Sequence, residues 1–209
     1  MIRLRTVLAI FAALAACAYA GAQTDPATLP AHDAHQQLLI GVQPWLDAAR
    51  YKQEFGNKNP YTSGIVALDV YFRNDNDSPI RLDLSTIRLV VNPGGEDAQR
   101  IEPLSSEEVA DDVLLAGNAG GTRVPVPSVI PKGGRDKTWT KLDDKLRSDS
   151  LSIDILPPHA TVHGCIYFNM DHRFEYLRRS SLYIPDLSFM ASDKVLLFFE
   201  VSLASAAKP

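Results

Sequence analysis

The sequence predicts a mainly β protein, an antiparallel β-sandwich interrupted by two or three short helices. Three observations carry that prediction. Segments of period-two hydrophobicity recur between residues 38 and 203, the spacing of strands that bury one face. Strand follows strand without a regular strand–helix alternation, which argues against a parallel α/β sheet. Apolar residues make up 45% of the 209 and charged residues 22%, ordinary values for a chain that packs a core.

The first two dozen residues stand apart from that body. Arg3 and Arg5 precede an apolar run of 11, Thr6 to Ala16, followed by small residues. This is the three-part pattern of a secretory signal peptide over residues 1–22, and it is too short for a permanent membrane span. Two ends are open. Ala18-Tyr19-Ala20 and Ala20-Gly21-Ala22 both suit simple cleavage, whereas Leu14-Ala15-Ala16-Cys17 resembles a bacterial lipobox (residues 14–17), which would make Cys17 the lipidated first residue of the mature chain. The other cysteine is Cys165, so with Cys17 lipidated or removed no intrachain disulfide can form.

After the leader, about 185 to 190 residues remain, enough for one domain. The formal net charge is −4, or −6 once Arg3 and Arg5 are gone. That balance, with no basic run interleaved with aromatics, argues against a nucleic-acid partner.

Residues 23–36 are rich in Ala, Pro, Thr and Asp without a period and read as a flexible tether. The domain is then expected over 37–205. Leu38 to Val42 is a first strand. Asp47 caps a short helix, AARYKQEF, that ends at Gly56, with Tyr51 and Phe55 on one face. In residues 64–74, Val66, Leu68, Val70 and Phe72 alternate with Ala67, Asp69, Tyr71 and Arg73, the pattern of a strand with one buried face. A turn cluster, residues 74–79, leads into a β-like run over 80–91 that stops at Asn92-Pro93-Gly94-Gly95.

A helical insertion is expected over about 105–148. Ser105 and Glu108 have capping-box spacing, and Trp139, Leu142 and Leu146 share a face of a second helix over 138–148. Between the helices, residues 117–134 are rich in Gly and Pro and predict a long surface loop, a common seat of binding. The remainder is β again: 152–156, 161–170, 181–190 and 194–203. In the last of these Val195, Leu197, Phe199, Val201 and Leu203 make one apolar face, and Leu196 and Phe198 add to the other, as in a central strand. The total is about seven strands and three helices.

The runs VYFRNDNDSPIRLDLSTIRLVV and LPPHATVHGCIYFNM, followed by a closing strand, resemble the immunoglobulin-like (telokin-like) domains of bacterial exported proteins and lipoproteins of unknown function. Asn74, Pro157, Pro158, Gly164 and Phe168 occupy the family's marked places, and the likeness covers residues 64–91 and 151–203. It implies an immunoglobulin-like antiparallel β-sandwich. It implies no catalytic residue, because a fold alone carries none.

Each candidate site has a plainer reading beside it. Asp75-Asn76-Asp77-Ser78 offers oxygen ligands, but Ile80 and Thr86 stand where a calcium loop needs Gly and an acid, so a turn is the better reading. His159, His163, Cys165 and His172 form the one soft-ligand group; His163 and Cys165 project to the same side of a strand, but two ligands do not hold a metal. Glu107, Glu108, Asp111 and Asp112 read as a solvated helix face, and Arg173, Arg178 and Arg179 as a small basic surface spot. No Gly-x-Ser-x-Gly or phosphate-cradling glycine motif occurs. The sequence therefore predicts no catalytic, cofactor or metal residue, and one lipidation site, Cys17. The expected protein is an exported, lipid-anchored envelope protein on the periplasmic side of a bacterial membrane, acting as a non-enzymatic binding domain for an envelope protein or other macromolecule. The alternatives are a soluble periplasmic or secreted chain, a small-ligand or metal-binding protein using the His163 face, and a hydrolase with a non-local site.

Overall fold

Ten residues, Ile65–Asn74, form the longest strand among the described residues, and the other described strands and helices are arranged around it. A computed structural model describes residues 24–94, 97–115, 136–192 and 194–207. The first sheet joins β1 (Ala31–His35), β2 (Leu38–Pro44), β3 (Ile65–Asn74) and, after four further strands in the chain, β8 (Thr161–Asn169), in that spatial order. A small sheet holds β4 (Ile80–Arg81) between β10 (Ser188–Phe189) and β7 (Ile155–Leu156). The third sheet runs β11 (Phe199–Ser202), β9 (Ser180–Ile184), β5 (Arg88–Val91), β6 (Gln99–Ile101). All the strand pairings are antiparallel. Three α-helices complete the described residues: α1 (Ala48–Phe55), α2 (Ser106–Leu115) and α3 (Lys137–Asp149). The protein is mainly β, in a layout consistent with a β-sandwich.

Two apolar clusters explain the layering. On one face of β3, Val66, Leu68, Val70 and Phe72 pack with Leu89, Leu182, Ile184, Phe199 and Val201 of the third sheet. On the other face, Ile65 and Ala67, with Tyr167 of β8, pack against Val109 and Val113 of α2 and Leu142 and Leu146 of α3. Each fully buried Leu, Val or Phe contributes roughly 1.5–3 kcal/mol of transfer free energy. The helices thus back the first sheet, and β3 is buried on both faces where the sequence predicts one.

Local chemistry sets the element ends. Asp47 accepts the Ala49 amide at 2.8 Å and Gly56, at φ 82°, closes α1, as expected. The Ser105–Glu108 capping box is present: the Glu108 carboxylate accepts the Ser105 amide at 2.8 Å and the Ser105 hydroxyl accepts the Glu108 amide at 3.3 Å. α3 starts at Asp136, whose carboxylate accepts the Thr138 and Trp139 amides.

The structure corrects four further expectations. The tether expected over 23–36 is instead a 3-10 turn at Pro26–Thr28 and then strand β1, paired along its whole length with β2. Its two-residue turn places Gln36 and Gln37 at φ 51° and 57°, the tight hairpin geometry that usually recruits Asn or Gly. The run 80–91 is two strands split by a 3-10 turn at Leu84–Thr86, which Asp83 caps. The closing strand is not central: β11 is an edge of its sheet, and Val195, Leu197 and Phe198 are exposed. The described residues hold eleven strands rather than about seven. No helix among them is long and apolar enough to cross a membrane.

Candidate functional site

The packing of α1 against α3 leaves a groove of about 530 Å³. Its geometry follows from spacing. Lys137, Lys141 and Lys145 recur every four residues, so they line one side of α3. α1 supplies Glu54 and Phe55, the chain beyond it supplies Asn57 and Lys58, and Leu114 and Leu142 complete the apolar part. Four lysines against one glutamate give this lining a formal charge of +3 on a chain whose total is −4.

The lysines are not equivalent. Lys145 bridges the two helices, 3.2 Å from Glu54 and 2.9 Å from Asp149, and its ammonium lies 5.8 Å from the Phe55 ring centroid. The hydrogen bond to Asp149 first, and then that to Glu54, holds its pKa above the ordinary lysine value. Lys58, Lys137 and Lys141 have no carboxylate partner among the described residues. A groove with an apolar lining and three uncommitted ammonium groups suits an anionic group carried on an apolar or peptide stem. Leu114 and Lys137 also stand at the two roots of the Gly- and Pro-rich segment expected to bind; that segment, like Cys17, lies outside the described residues.

The soft-ligand group is dispersed. His163 sits opposite Tyr71 in the β3–β8 register and stacks on it, ring centroids 4.7 Å apart. Its Nδ1 lies 3.2 Å from an Asp69 carboxylate oxygen, and the Tyr71 hydroxyl donates to the other oxygen at 3.0 Å. Burial, and then the Asp69 charge, push the Tyr71 hydroxyl pKa up. Cys165 is the register partner of Asp69 but is buried, and burial, followed by the charges of Asp69 and Asp149, raises its thiol to about 12. At neutral pH it is a protonated, unreactive thiol. His172 packs at Gly64, beyond the far end of β8 and nine residues on from His163; the strand end at Asn169 is itself about 20 Å from His163. His159 bonds Asp77 at 2.9 Å across the turn. Among the described residues no group of three or more His, Cys, Asp or Glu is placed to hold a metal ion.

The remaining candidates are structural. Asn74, buried, ties the turn cluster down by donating to the carbonyls of Ser78, Leu156 and Pro157 and accepting the Asn76 amide. On α2, Asp111 accepts the Trp139 indole N–H at 2.7 Å and Asp112 accepts from Asn169 at 3.3 Å, so these acids join α2 to α3 and β8. Arg178 donates to the Ala207 carbonyl and Arg179 to that of Pro93. The groove itself was missed by sequence reasoning. The signal that could have found it is the Lys137-Lys141-Lys145 stripe, but its partner wall on α1 is more than eighty residues away in the chain.

No family model matches the chain, and no curated protein matches it. A crystal structure of a functionally unknown protein from Listeria monocytogenes EGD-e aligns with 74% of this chain and 70% of that one, at 12% identity and a TM-score of 0.35.

Proposed function

We propose that this chain is an exported, lipid-anchored envelope domain of immunoglobulin-like build that works by binding a partner macromolecule rather than by catalysis. The observation that supports this reading is the α1–α3 groove. Its positive lining on a negative protein selects for acidic partner segments, and such a contact is steered and screened like any surface charge pairing. The groove lies at the roots of the Gly- and Pro-rich segment, Leu114 on one side and Lys137 on the other. The anchor at Cys17 would hold the domain within the envelope, where the partner is an envelope protein.

The test is recovery of a partner from solubilised envelope by the full mature chain and by a Lys137→Glu/Lys141→Glu variant. Both lysines are on the outside of α3, so the variant should fold. The expected result is a partner retained by the parent at low salt, lost progressively above about 0.15 M salt, and recovered at least tenfold less by the variant. Equal recovery by the two proteins would contradict the groove as the binding surface.

A further inference from the structure

Residues 195–198 read Val-Leu-Leu-Phe, and the fold buries one of the four. Leu196 is 4% exposed, while Val195, Leu197 and Phe198 are 66%, 67% and 54% exposed. The main chain explains the pattern. Leu196 donates its amide to the Leu187 carbonyl and turns its side chain inward, and the Leu197 amide goes to the Gln36 side chain at 2.8 Å. Its neighbours therefore point out. Val195 bridges Ser188, which is level with Arg81 and then Ile155 across the small sheet, so exposed Ile155 extends the same row. Adjacent large apolar side chains left in water on a folded body mark a contact surface.

The way the chain enters the domain indicates what covers it. Asp25 bonds Arg73 at 2.8 Å, Arg73 bonds Asp75 at 3.2 Å, and the Asp75 amide donates to the Gln37 carbonyl at 2.8 Å. The adjoining Gln36 side chain accepts the Leu197 amide. A short chain of contacts thus runs from the N-terminal entry to the apolar edge, at the Asn74 end of β3. Seven residue steps separate Cys17 from Thr24, a reach of at most about 25 Å. A compact domain with a radius of gyration of about 16 Å is roughly 40 Å across, more than that reach, so the end opposite the entry cannot be the one that rests on the bilayer.

We propose that the edge formed by Val195, Leu197 and Phe198 rests on the lipid surface in which Cys17 is anchored. This rests on the lipidation read at Cys17. Lys194 and Arg81 border the edge and are exposed, as suits the headgroup layer. The contact fixes the orientation of the domain: the helices that form the groove pack with Ile65, Ala67 and Cys165, toward the Ile65 end of β3 and away from the apolar edge at its Asn74 end.

The test uses the full mature chain in vesicles of phosphatidylethanolamine and phosphatidylglycerol. An environment-sensitive fluorophore is placed on Phe198→Cys, on Leu197→Cys, and on Lys58→Cys as the distal control; Cys165 is buried and does not compete. Intact mass reports the state of Cys17 in each sample. The expected result is an acylated chain whose probes at 197 and 198 are blue-shifted and quenched at least twofold by brominated acyl chains, while the probe at 58 is unaffected. An acylated chain with unquenched probes at 197 and 198 overturns the proposal alone, including the case where they are shielded by a second copy, which crosslinking reports. A mature chain without acyl groups overturns the proposal together with the reading of Cys17.

Discussion

The Tyr51 hydroxyl accepts the Ala67 amide at 2.7 Å and donates to the Trp45 carbonyl at 3.1 Å. β2 leaves the sheet just after Pro44, so the Ala67 amide has no strand partner on that side, and a side chain from α1 takes its place. The helix is thereby fastened to β3 where the backbone would otherwise hold an unmet donor. Replacing Tyr51 with Phe keeps the ring contacts with Trp45 and Tyr61 but leaves that buried amide unpaired. The expected cost is about 1–3 kcal/mol, read as a lower urea midpoint with unchanged slope.

Asn74 has a comparable role at the other end of β3. One amide group serves three carbonyls on two separate segments, and the side chain is fully buried. Asn74→Ala should lower stability by about 2–4 kcal/mol. Asn74→Asp should do no better, since a carboxylate cannot donate to those carbonyls. Chemical denaturation of both variants checks this; a loss under 1 kcal/mol in Asn74→Ala would show that water replaces the amide.

Gly164 is required by closeness rather than by backbone angle. Residues 150–151 run beside β8, with the Leu151 amide donating to the Cys165 carbonyl at 2.9 Å. A Cβ at 164 would stand 2.6 Å from the Leu151 backbone, which cannot move without breaking that bond. Gly164→Ala is expected to cost more than about 2 kcal/mol and to lower the melting temperature by several degrees. An unchanged melting temperature would mean that the two segments separate freely.

Cys165 gives a pH signature. Its folded-state pKa is about 12 against an ordinary value of 9.0. The unfolded chain therefore loses this proton first, and between pH 9 and 12 the folded chain binds more protons. Stability should fall across that window as pH rises, by up to about 1.4 kcal/mol per pH unit for one group, and should be unaffected by this thiol below pH 9. Tyr51, Tyr71 and Tyr167, also raised, steepen the decline above pH 10. Between pH 9 and 10 the slope should become shallower in Cys165→Ala, measured by urea unfolding at each pH. The same burial predicts that a thiol reagent labels the native protein far more slowly than the denatured one.

The elements legible in the sequence are those whose signals are local. Asp47 and Gly56 mark both ends of α1, and Ser105 with Glu108 marks the start of α2, because caps satisfy helix ends with neighbouring residues. The alternation in β3 locates the strand but not the number of layers: Ala67 and Tyr71 look like a mild outer face until α2, α3 and the N-terminal segment cover it. β1, reading Ala-His-Asp-Ala-His, carries no hydrophobic period and is held by main-chain pairing that composition does not reveal. The opposite error occurs at 194–198, where apolar content suggests a buried strand and the fold instead exposes three side chains. The groove is invisible for a different reason, since its walls meet through tertiary packing of α1 against α3.

Fractionating the cells that make this protein, then taking its intact mass and first residue in each fraction, is the decisive experiment. The expected result is a membrane-bound chain that starts at Cys17 and carries a diacylglycerol thioether. A chain that starts at Met1 in the cytosol, or at Gly21 or Gln23 without acyl groups, would contradict it.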